Sequence, residues 1–496
     1  MVLAGVLALP AAAAATTRYA APGGTADDTV CVSPDAPKCS IGTAAGGPDV
    51  VPPDEAVILP GDYSDTDGDL NGDALGPTDG IVQPAAGSVH GEAFEPRPVI
   101  TVDGLDPSAP NPYGAFLLSA TTLSHVEIHA GAAARAAVTT GFGSPDSVVE
   151  DAIATSASDG AITCVHWNGV IRDSVCNSSG AGGIGVGASL AGGVNTMNLT
   201  LRSVTAVSSG TNSFGLSYRF FGGSSANWIV NSRSVIAKGT GTDVVAGAIK
   251  FSGTCPNTTV SLDFSDYATT QAVNDMGCVA AVSPAGSGDN RTDPPALAAD
   301  GIHQLAGSIT VDHGFVDASS GTTDIDGQAR TIGSDPDIGA DELAFPTSTD
   351  VDCAPNPLVF GSGPAQCRVT VTDTTSTPPV AFLSGVRLTS DMPGSFVANC
   401  ETLFMSSPTE GTCTAPYTPD AVGDHTITAI YPGDASHDSS GDTDSLAVIQ
   451  PGGPAAPGAT SPAPAATKTK CKKRKRRHHA EAAKKKRKCR KGRKRR

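Results

Sequence analysis

The sequence predicts an all-β chain: a solenoid of stacked short strands, then a β-sandwich, then a disordered basic tail. Three observations carry that expectation. Glycine (57) and proline (37) are abundant while charged residues make up only 17%, too few for the Lys/Glu outer faces of long amphipathic helices. An eleven-residue pattern recurs at intervals of about 30 residues between 145 and 250. Residues 350–449 then offer about 100 residues of short strands with Pro/Gly turns, which suits a sandwich. At 496 residues the chain has room for two or three domains.

The chain opens on "MVLAGVLALPAAAAATTRYA", an apolar run followed by small residues. This is the pattern of a secretory signal peptide over 1–17, cut near Ala13 to Ala15. No Lys or Arg precedes the run, so the leader reads as truncated. No other stretch approaches the ~20 apolar residues of a membrane span, and no integral span is expected. The twelve cysteines fall as near neighbours: Cys31 and Cys39, Cys164 and Cys176, Cys255 and Cys278, Cys353 and Cys367, Cys400 and Cys413, Cys471 and Cys489. Zinc would want CxxC knuckles or nearby His ligands. An even count in local pairs suits disulfides and export to an oxidising compartment, although spacing alone leaves their connectivity open.

The repeated windows are "VIRDSVCNSSG" (170–180), "TLRSVTAVSSG" (200–210) and "IVNSRSVIAKG" (229–239). Aligned without gaps, their second column is Ile171, Leu201, Val230 and their third is Arg172, Arg202, Asn231. Met197, Leu199 and Leu201 alternate with polar residues, as in a half-buried strand. One short strand cannot bury its inner face alone, but rungs stacked about 4.8 Å apart bury a continuous core. The exposed ends of such a stack need caps.

Two stretches add a resemblance. "RYAAPGGTADDTVCVSPDAPKCSIGTAAGG" (18–47) and "DEAVILPGDYSD" (54–65) look like the opening of secreted right-handed parallel β-helix proteins of the pectin-lyase-like class. "IHQLAGSITVDHGFVDASSGTTDIDGQARTIGSDPDIGADE" (302–342) is similar to the closing signature of choice-of-anchor Q domains. The resemblance implies a right-handed parallel β-helix over 18–345, a surface or secreted module of unassigned activity. Residues 346–449 resemble bacterial Ig-like repeats, through a "YTP" turn (417–419), the alternating "HTITAIY" strand (425–431) and the "PGDASHDSS" turn (432–440). That resemblance implies a spacer. The Pro/Ala-rich segment 450–467 reads as an extended linker, and 468–496 as a polybasic disordered tail.

Chemistry is sparse. Sugar hydrolysis needs two placed carboxylates, and the rungs that should carry them hold no paired aspartates. The one charged doublet in the repeated windows, Arg172–Asp173, reads as a solvent-facing turn, and "VDHG" (311–314) is the nearest echo of a lyase motif. Asp67, Asp69, Asn71 and Asp73 match the first half of a calcium loop. The twelfth position is Thr78 rather than Glu, so Ca²⁺ would be held weakly there, against a default of a solvated acidic turn. Beyond that Ca²⁺ no cofactor is expected. Trp167, Tyr218 and Trp228 are weak candidates for stacking on carbohydrate.

The formal charge of -17 hides a split. Residues 468–496 hold 19 Lys or Arg and one acid, +18, leaving 14 basic and 49 acidic residues elsewhere, -35. So acidic a body repels nucleic acid, and the tail lacks interleaved aromatics for base stacking. The tail is expected on anionic cell-envelope polymers or lipid headgroups. The expected role is therefore non-enzymatic: a secreted, cell-surface structural or adhesion-type protein. A polysaccharide-active enzyme on the β-helix is the alternative.

Overall fold

The computed structural model describes most of residues 16–452; residues 1–15, 453–496 and several internal stretches, the longest being 66–83 and 103–114, lie outside the described residues. The leader, the calcium loop at 67–73, the linker, the tail and the Cys471/Cys489 pair all fall outside them.

The chain is all-β, and its first part is a parallel β-solenoid. One sheet runs from Thr17–Thr25 through Val148–Ser156, Gly169–Ser178, Met197–Ser208 and Asn227–Gly239 to Val279–Val282. A second runs from Phe116–Leu117 through Ile162–His166, Ile184–Ala191 and Phe214–Gly222 to Thr270–Asn274. Successive rungs pair in parallel within each sheet. Residues in register therefore form columns, and the inward columns make the core. Leu123, Val149, Ile171 and Leu201 stack on one face; Phe116, Val138, Cys164, Val186, Leu216 and Val244 stack on the other. All are buried. The Cys164–Cys176 disulfide joins the two sheets across one rung.

The register corrects the ungapped alignment of the repeats. Leu201 pairs with Ser232, not Val230, and Arg202 with Arg233, not Asn231. The third window lies two residues further along. A slip of two leaves inward and outward faces unchanged, which is why the alternation survived the wrong partner.

Each long strand of the first sheet turns a corner at one residue in the left-handed region: His125, Asp151, Asp173, Ser203, Ser234 and Phe264, with φ between 45° and 54°. These stack as a column, since pairing resumes in register on either side of them. A non-glycine residue there costs roughly 1–2 kcal/mol, so something must hold each corner.

The N-terminal end is capped by the short helix Ile41–Gly46. Ser40 starts it, its Oγ accepting from the Thr43 amide at 3.2 Å, as an N-cap residue does. Ile41, Ala44 and Ala45 are buried in the solenoid core. The Cys31–Cys39 disulfide closes the loop ahead of this helix.

Residues 346–449 form two sheets sharing one core. Thr347–Ala354, Ala365–Asp373 and Glu410–Pro419 belong to one; Arg387–Ser390, Gly423–Tyr431 and Ser440–Ile449 to the other. Val369, Val371, Tyr417, Ile427, Tyr431 and Leu446 fill the space between them. The 425–431 strand lies where the alternation put it. Tyr417-Thr418-Pro419, expected at a turn, instead ends a strand, and the buried Tyr417 donates to Ser390 Oγ at 2.8 Å. Cys353 and Cys367 are directly opposed across two antiparallel strands and disulfide-bonded.

Candidate functional site

Residues 296–342 carry almost no regular structure. They lie as a strap along the column of corners. Running back along the stack, Phe315 exchanges two bonds with Ser234 Oγ (2.9 and 2.7 Å). Asp317 takes both oxygens to Arg202 Nε (3.0 and 2.9 Å) and meets Arg233 at 3.3 Å. Gly321 N donates to Asp173 at 2.9 Å, and the Ile325 carbonyl accepts from Arg97, which also pairs with Asp151. The chain then returns, with Ala340 N on Thr205 Oγ1 at 3.0 Å and Gly339 N on the Ser234 carbonyl at 2.9 Å. Ile325 and Ala340 bury Val175 beneath them.

The strap is knotted by its own acids. Arg330, fully buried, bonds Glu342 Oε1 at 2.6 Å and the Ala340 carbonyl at 2.9 Å, and faces Asp173 at 3.6 Å. Asp324 accepts the Gln328 and Glu342 amides (2.7 and 3.0 Å), and Asp337 accepts from Leu343 N and Gln304 Nε2 (2.8 and 3.1 Å). The polar letters of "TDIDGQAR" and "DIGADE" are thus the strap's internal supports. Asp312 of "VDHG" accepts the Ser334 amide at 2.8 Å and serves the same end. Asp173 is not a solvent-facing turn: it is buried beneath the strap, and that burial pushes its carboxyl up to about 7 against the pull of Arg330.

Under the strap's leading edge lies a groove of about 500 Å³. Its floor is the far end of the long strands, where His129, Thr155 and Asn177 stack in register; Ser179, Ser209 and the strap residues Asp300 and Gly301 form its walls. His129 contacts Thr155 Oγ1 at 2.8 Å and Glu127 at 2.9 Å. The Glu127 bond raises its pKa, and both ring nitrogens are engaged. Asn177 bridges the Val207 amide (3.0 Å) and the Gly301 carbonyl (3.1 Å). Ala130, Ala157, Val207 and Ala299 also line the groove, and the hydroxyls, the amide and the one carboxylate set among these small apolar residues can accept hydrogen bonds from a polyhydroxylated ligand.

Beside the groove, His303, Asp326 and Asp341 each bring one ligand-type atom within 4.8 Å of the other two. Asp300 holds His303 Nδ1 at 2.7 Å.

Comparison with protein-family models, characterised proteins and solved structures finds no match to this chain.

The aromatic candidates are placed plainly. Trp167, Tyr218 and Trp228 are 7%, 0% and 1% exposed. Trp228 packs on Phe220 with ring centres 4.9 Å apart, and the Tyr218 hydroxyl meets His166 at 3.0 Å inside the core. A ring with no open face has nothing to offer a sugar, so the platform reading gives way to core packing. The structure pairs all ten cysteines of the first five neighbour pairs as expected. Their number suits an extracellular protein, and no helix among the described residues is long and apolar enough to cross a membrane. Sequence reasoning missed the groove and the His303 cluster. Asp300-x-x-His303 was a readable carboxylate–histidine spacing; the approach of Asp326 and Asp341 to it was not.

Proposed function

We propose that this is a secreted, cell-surface structural or adhesion-type protein. In this reading the solenoid is a right-handed β-helix of the pectin-lyase-like, choice-of-anchor Q type, displayed on an Ig-like spacer. The basic tail holds it to anionic envelope polymers or lipid headgroups. The observation that carries the non-enzymatic reading is where the solenoid's charges go. Arg172 pairs with Glu150, Arg202 and Arg233 with Asp317, and Asp173 with the strap. Charged groups spent on holding a strap are not available to protonate or attack a substrate. Binding then falls to the groove, whose lining of small apolar residues interspersed with hydroxyls suits a glycan.

The tail contributes about 1 kcal/mol per basic residue near an anionic surface, so retention is electrostatic and falls with salt. Deleting residues 468–496 should release the protein from isolated cell walls at low salt. Equal retention of both forms at low and high salt rejects the anchor. The groove also favours a second reading, a polysaccharide-active enzyme, because a histidine and a carboxylate line it. Turnover of uronic-acid polymers in the presence of Ca²⁺ would establish that reading in place of the first.

A further inference from the structure

We propose that His303, Asp326 and Asp341 form a site for a first-row divalent cation of the zinc type, fastening three separate parts of the strap to one another. The residues come from distinct segments: one beside the groove, one in the Asp324–Gln328 turn and one in the final run before the second unit. Their ligand-type atoms already lie within 4.8 Å of each other. Metal bonds of roughly 2.0–2.2 Å place tetrahedral ligand atoms on the order of 3.3 Å apart, so closure needs side-chain adjustment without backbone rearrangement.

Two further features point to a cation. Asp300 Oδ2 lies 2.7 Å from His303 Nδ1, which leaves Nε2 as the nitrogen directed at the carboxylates, the arrangement by which an outer carboxylate orients a metal-bound imidazole. The charge is also unbalanced. Asp341 is 3% exposed and accepts the Gln304 amide through Oδ2, while the single imidazole of His303 faces three carboxylates, Asp300 at 2.7 Å, Asp326 at 3.2 Å and Asp341. Arg330, the nearby guanidinium, is engaged by Glu342 and Asp173. A dication held at this site would lie between the Asp326 and Asp341 carboxylates and the His303 imidazole. An imidazole nitrogen beside two carboxylates suits Zn²⁺ better than Ca²⁺, which takes oxygen ligands.

The test is zinc titration of the EDTA-treated, dialysed full-length chain, read by calorimetry. The tail histidines His478 and His479 are present in every form, so the difference between forms is what counts. The native chain should bind one more equivalent of ZnCl₂ than His303→Ala or Asp326→Asn, and equimolar CaCl₂ should not displace it. Asp300→Asn should keep the equivalent but weaken it about 10–100-fold. Should His303→Ala fail to fold, Asp326→Asn decides, since its side chain is 39% exposed. Equal zinc stoichiometry in the native and variant chains, or displacement by Ca²⁺, overturns the proposal.

Discussion

Replacing Asp317 with Asn isolates the strap's strongest grip on the solenoid. Arg172, Arg202 and Arg233 stand in one column, so their charges repeat near the rung spacing of about 4.8 Å. Two unit charges at that distance repel by roughly 3.5 kcal/mol at an effective dielectric constant of about 20. This is an upper bound, since Arg172 leans to Glu150 and Arg233 to Asp263 at 3.6 Å. Arg202 sits between them, 8% exposed, with Asp317 as its counter-ion. Asn keeps one acceptor but removes the charge, leaving a nearly buried guanidinium uncompensated. Loss of a full buried pair costs about 3–5 kcal/mol, so Asp317→Asn should cost about 2–4. Urea unfolding should report the loss, and hydrogen exchange should show faster opening at the Phe315 and Gly321 amides. The double variant Asp317→Asn/Arg202→Met should recover at least half of it by removing the stranded charge. A loss below about 0.5 kcal/mol, or a double variant no more stable than the single one, refutes the reasoning.

Two further outcomes follow from buried groups. The Asp173 carboxyl is raised by burial from 3.8 to about 7, so the folded state holds its proton where the unfolded chain has lost it. Its penalty is absent below about pH 4, grows as pH rises and is complete above about 7. Asp173→Asn keeps an acceptor for the Gly321 amide and tolerates the left-handed corner. It should melt like the native chain at pH 4 and be more stable by roughly 1–3 kcal/mol at pH 8.5; a less stable variant at pH 8.5 would reject the burial argument. Trp228→Ala should cost about 3–5 kcal/mol by cavity formation and leave glycan binding of the folded protein unchanged. Selective loss of binding without loss of stability would restore Trp228 as a ligand contact.

The solenoid was legible because its physics is local. Alternating Met197, Leu199 and Leu201 and a spacing near 30 residues sufficed to predict stacked rungs. Cysteine proximity pointed to local disulfides for the same reason, and the structure supplied the connectivity that spacing left open. Register was not legible to the residue, since a two-residue shift of the third window preserves every inward position. The corners left no signal at all: His125, Asp151, Asp173, Ser203, Ser234 and Phe264 share a backbone conformation but not a side-chain chemistry. Asp173 looked solvated because its cover lies 148 residues away, at Gly321. The groove was hidden likewise, being built from register neighbours on three rungs and a wall at 299–301. The aromatics misled because a rare Trp reads alike on a surface and in a core.

The strap changes how the molecule must come apart. A stack whose rungs touch only their neighbours can fray from either end, one rung at a time. Here a single segment is tied to rungs from Asp151 to Ser234, so peeling one rung strains bonds several rungs away. A pull transmitted from residues 346–449 would enter the solenoid through this segment and load those ties in shear together. The same wiring defers completion of folding, because contacts between 81 and 228 residues apart in sequence close late. A chain cut before residue 296 would keep its rungs but lose what binds them into one cooperative body.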